Sequence, residues 1–188
     1  MRTTCLCRLS LSSVRHTMRA WVAQSPTDPV KLKTIPLPVL TKPDQVLIKV
    51  KAASVNPVDA LMVKGYGKEV LGVWKRLDTF DPAASRFPLT PGRDCAGIVE
   101  AVGPAVSGLH PGDEVMAVVP ALWAGTHAEY VVTRESCCSR KPSNLSFTDA
   151  ASMPYVGSTA WAALVCVARL NHNSKPSQLQ YNSGWPQN

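Results

Sequence analysis

Turn signals stand at Pro91-Gly92, Gly103-Pro104, Pro111-Gly112 and Gly125, and the runs between them leave no room for a long helix. Ala96–Val102, Glu114–Val119 and His127–Thr133 are brief and apolar, and are read as strands. Upstream, Gln45–Val55 sets Val46, Ile48 and Val50 against Lys49 and Lys51, the alternation of a half-buried antiparallel strand. Met18–Ala23 reads as a first strand. Pro26, Pro29, Pro36, Pro38 and Pro43 then cut the chain into short extended pieces. Short strands with turns between them predict a mainly β (α+β) fold built on a small barrel or sandwich.

Helices are expected in few places. Asn56-Pro57-Val58-Asp59 opens one that runs to Lys64, with Asn56 as cap and Pro57 where its missing N–H costs nothing. Gly65-Tyr66-Gly67 ends it. Lys68–Arg86, carrying Trp74 and Phe80, is poorly patterned and is read as a loop of functional or mobile character. Ser146-Phe147-Thr148-Asp149 has capping-box form and opens a short helix through Ser152. After Pro154, Tyr155–Arg169 is a longer helix, apolar on most sides, which normally packs between other elements. Leu170–Asn188 is polar and aperiodic, and reads as an unstructured tail.

Arg93 and Asp94 sit side by side where the Pro91-Gly92 turn enters a strand. Such a pair must be matched, solvated or used. An ordinary turn with a solvated ion pair is one reading, and a salt-bridged rim between strand and cleft is the other.

The chain is 45% hydrophobic and 18% charged, enough to build a core. Its formal charge is +7, but Arg2, Arg8, Arg15 and Arg19 account for four of these charges with no acid among them, leaving +3 for the rest. A nucleic-acid binder needs its basic patch on the folded body, so that class is set aside. Residues 1–17, rich in Arg, Ser and Thr and free of acid, have the make-up of a mitochondrial transit peptide. No apolar run reaches the roughly 20 residues of a membrane span. Cys5 and Cys7 fall in that leader. Cys95, Cys137, Cys138 and Cys166 are read as reduced thiols, with core packing the expected role of Cys95 and Cys166. The adjacency of Cys137 and Cys138 does not suit zinc.

Taken in order, Ser54–Asp59, Gly65-Tyr66-Gly67, Pro91–Val99, Pro111–Val115, Gly125–Val131, Ala150–Pro154 and Thr159-Ala160-Trp161 resemble the N-terminal part of the medium-chain dehydrogenase/reductases, in their zinc-free quinone-oxidoreductase branch. The resemblance covers about residues 18–169 and implies a GroES-like β-barrel catalytic domain, followed in the family by a Rossmann domain that holds NADPH. Zinc-dependent relatives place a Cys near the Asn56 position and a His-Glu pair where Arg93-Asp94 stand, so no metal is expected here. His127 has no partner at ligand spacing and is read as a satisfied strand histidine. By the same resemblance Asn56, Asp59 and Tyr66 line the cleft against nicotinamide and substrate, and Thr159 approaches the cofactor. Each has a plainer reading: a cap, a first-turn acid, a packing aromatic and a helix-interior hydroxyl.

Family members follow the Tyr155–Arg169 helix with a Val-rich strand and a Gly-rich turn that meets the pyrophosphate. No Gly-x-Gly-x-x-Gly or Gly-Gly-Val-Gly occurs here. Without the sheet that follows this helix in related proteins, Trp161, Leu164 and Val165 are expected to lack cover. The expected organisation is therefore a leader at 1–17, a catalytic domain at 18–152, a helix at 153–169 leading to an absent Rossmann domain, and a divergent tail at 170–188. Two functions remain open. One is the catalytic-domain portion of a mitochondrial NADPH-dependent quinone or enone oxidoreductase, inactive as this chain. The other is a binding or regulatory module that pairs with the full-length protein, itself or a reticulon-type partner.

Overall fold

The computed structural model describes residues 16–79 and 87–170. The expected leader, apart from His16 and Thr17, and the tail beyond Leu170 lie outside the described residues. Among the described residues seven strands form two antiparallel sheets, which bears out the mainly β expectation. β1 (Thr17–Val22) pairs with β2 (Lys31–Pro36), Thr17 opposite Pro36 and Val22 opposite Lys31. The larger sheet contains β3 (Gln45–Ala53), β4 (Asp94–Val102), β5 (Glu114–Val118), β6 (Tyr130–Arg134) and β7 (Cys138–Arg140), in the order β6-β3-β4-β5-β7. The segment before β6 joins the two sheets. Trp21 N–H donates to His127 O at 2.9 Å, Glu129 N–H to Arg19 O at 3.0 Å, and Val50 N–H to Glu129 O at 2.9 Å. The strand expected from His127 is laddered only from Tyr130, because residues 127–129 serve this junction.

The main core gathers Val46, Ile48, Cys95, Val99, Val115, Ala117 and Val131 on one face of the large sheet. Val46 and Ile48 point inward and Lys49 and Lys51 outward, as the alternation requires. Leu47 breaks the simple pattern. It is buried on the other face with Met18 and Tyr130, under Ile35 and Leu37, because the β1–β2 sheet covers that end of β3. A third cluster packs Ala150 and Ala151 of α3 (Phe147–Ala151) on Ala96. Ser146 caps α3 as expected, accepting from Asp149 N–H.

α1 spans Pro57–Val63, with Asn56 at its cap. The Lys68–Arg86 segment is not the loop expected. Lys68–Thr79 is a helix, α2, with Glu69 in its first turn and Arg76 in its last, matching the helix dipole, while 80–86 lie outside the described residues. Its apolar residues Val70, Val73, Trp74 and Leu77 recur at helical spacing, a signal that Gly72 in mid-run obscures.

Of the described residues, Tyr155 to Leu170 belong to a separate compact unit. There α4 (Pro154–Trp161) passes into a π-helical turn, Ala162–Val167, rather than running as one regular helix to Arg169. Its apolar residues are uncovered: Val156, Trp161, Leu164, Val165 and Val167 are exposed. Cys166 is likewise exposed, against its expected core role, whereas Cys95 is fully buried.

Gly97 lets β3 and β4 approach. A Cβ there would run into Lys49 O and meet Ile48 Cγ2 at 2.8 Å. The neighbouring ladder steps from Val50↔Gly97 to Ala52↔Ala96, leaving Lys51 as the extra residue of a bulge. Gly97→Ala is expected to cost about 2 kcal/mol, read as a lowered urea midpoint at unchanged slope.

Candidate functional site

Asp59 ties two parts of the chain together. As the third residue of α1 it is 2% exposed, yet it is charged, so its oxygens need partners. One accepts from Asn56 N–H at 2.8 Å, closing the helix start; the other accepts from Gly92 N–H at 3.1 Å and lies 4.0 Å from Arg93 Nε. Arg93, itself 2% exposed, also donates to Pro120 O at 2.8 Å and Trp123 O at 3.4 Å. Its guanidinium thus joins the helix, the turn and the 120–123 loop.

Asp94 is wholly buried. It accepts from the Ser54 hydroxyl and from Asn56 Nδ2 at 3.1 Å, and the same amide reaches Ser54 Oγ at 3.0 Å. Ser54 O in turn lies 2.9 Å from His127 Nε2. The Arg93-Asp94 pair is therefore neither a solvated turn nor a rim, the two settings that sequence suggested. Both residues lie inside, because Gly92 turns the chain inward with φ +97°. A Cβ on Gly92 would strike the Thr126 hydroxyl and approach His127 N at 2.9 Å, so only glycine fits.

Beside this network lies a largely apolar cleft of about 470 Å³, lined by Trp21, Val55, Ala60, Val63, Pro91 and His127, with Asp59 at its wall. A groove of about 550 Å³ on the sheet surface shares Trp21, Val55 and His127 with it. Asn56 and Asp59 are brought together, each held by hydrogen bonds that fix the N-terminus of α1. Tyr66 stands apart at 66% exposure, in the turn after α1, where its N–H donates to Leu61 O at 2.9 Å. Thr159 belongs to the second unit and donates its hydroxyl to Tyr155 O at 2.8 Å, one helical turn back. Ser54 and His127, which sequence reasoning gave no functional part, are members of the network. Ser54 has no sequence signal beyond preceding the Asn56 cap. His127 is satisfied, as expected.

Among the described residues no group of three or more His, Cys, Asp or Glu is placed to hold a metal ion. The thiols offer no ready nucleophile in the sheet. Burial pushes the Cys95 thiol up, and Cys138 is pushed up to about 12 by burial, with Cys137 and Glu135 adding to it.

Removing one member of a buried ion pair strands the other. Asp59→Asn and Arg93→Met are each expected to cost about 3 kcal/mol. The double variant is expected to cost clearly less than the sum of the two. Denaturant midpoints for the three variants check both statements.

The alcohol dehydrogenase GroES-like domain family matches residues 42–143. "Reticulon-4-interacting protein 1, mitochondrial" of Caenorhabditis elegans is 55% identical over 94% of this chain and 48% of its own length. The human "NAD(P)H oxidoreductase RTN4IP1, mitochondrial" is 41% identical over 87% of this chain and 42% of its own. The chain thus spans about half the length of the curated relatives it matches. Among solved structures, the quinone oxidoreductase from Coxiella burnetii is similar at a TM-score of 0.68 and 30% identity, covering 84% of this chain and 47% of that one. With the family match extending over more than half of its residues and an antiparallel, sheet-rich fold beneath it, the chain belongs to the alcohol dehydrogenase GroES-like domain family of the medium-chain dehydrogenase/reductases.

Proposed function

We propose that this chain supplies the catalytic-domain half of a mitochondrial, zinc-independent NADPH-dependent oxidoreductase that passes hydride to a quinone or conjugated enone. The observation that carries the zinc-independent part is Arg93. A permanent guanidinium cation, buried and joined to Asp59, is electrostatically opposed to a Zn²⁺ at the same place and offers it no lone pair. The names of the relatives support the nicotinamide chemistry, the quinone and the mitochondrial location.

The residues present do not fit a whole dinucleotide. Every named ladder is antiparallel, and the parallel strand–helix–strand unit that cradles a pyrophosphate has no counterpart among the described residues. The Gly-rich fingerprint is missing from the 188 residues as well. The chain's own contribution is shape and position: an apolar cleft for a flat unsaturated ring, with Asp59 in its wall and held by the Ser54–Asn56 hydrogen bonds behind it, and Tyr66 exposed at the turn after α1. Asn56, Asp59 and Tyr66 are proposed to face nicotinamide and substrate, and Thr159 to approach the cofactor, once a dinucleotide domain is in place.

A binding or regulatory module is the second reading. It draws on the apolar residues that α4 and the following turn expose, Val156, Trp161, Leu164 and Val167, which suit self-association; a reticulon-type partner rests on the name of a relative alone.

The purified 188-residue chain is expected to leave NADPH fluorescence unchanged and to oxidise no NADPH with 1,4-benzoquinone. Turnover by the chain alone would overturn the assignment of the cofactor site elsewhere. Sedimentation velocity addresses the module: a concentration-dependent oligomer lost in Trp161→Glu supports it, and a monomer at all concentrations rules self-association out.

A further inference from the structure

We draw no further inference here: the strongest candidate, the groove of about 550 Å³ between residues 50–53 at the end of β3 and residues 126–129, shares Trp21, Val55 and His127 with the cleft already described, and nothing in the structure shows what covers the rest of it.

Discussion

A guanidinium and a carboxylate withdrawn from water must be brought together, or the fold that buries them does not hold. Arg93 and Asp59 meet at 4.0 Å, with both side chains almost fully covered. Hydrogen bonds from Asn56 N–H and Gly92 N–H satisfy the carboxylate, and the Pro120 and Trp123 carbonyls take guanidinium protons. Each of these bonds is stronger inside than it would be in water, and each would be costly to leave unmade. The position of α1, the entry into β4 and the 120–123 loop are therefore set by one charge pair and its partners.

That pair depends on backbone that carries no charge. Gly92 turns with positive φ, without which its N–H could not reach Asp59. The antiparallel ladder of β3 with β4 then places Ser54, at the end of β3, against Asp94 at the start of β4. Hydrophobic burial on the two faces of β3, Val46 and Ile48 on one and Leu47 on the other, holds this ladder in register, because a slip of one residue would exchange the faces. The polar network rests on a packed apolar frame, and the frame closes over the charges only because the network satisfies them.

In chemical terms the Arg93–Asp59 pair is an electrostatic joint between α1 and the turn into β4. The joint fixes the start of α1 and the Gly92 turn beside a largely apolar cleft. The second unit, α2 and the exposed Tyr66 are the parts that remain open to further partners.

Local rules made the strands, the Asn56 cap, the Ser146 capping box and the family legible in the residues themselves. Alternation, cap chemistry and Pro-Gly turns act over a few positions, so the sequence alone shows them. The same rules missed α2, whose stripe is interrupted by Gly72, whereas the exposure of Trp161, Leu164 and Val165 follows from an apolar helix that has no sheet to pack on. They also left Arg93 and Asp94 on the surface. Two adjacent charges read as solvated unless their partners are known, and those partners lie 27 to 40 residues away at Ser54, Asn56, Pro120 and Trp123, with Asp59 near the same distance. The sequence determined that this chain builds a GroES-like antiparallel sheet. Only the tertiary structure decided that its charged turn is an interior joint, because burial and pairing are properties of residues distant in the chain and adjacent in space.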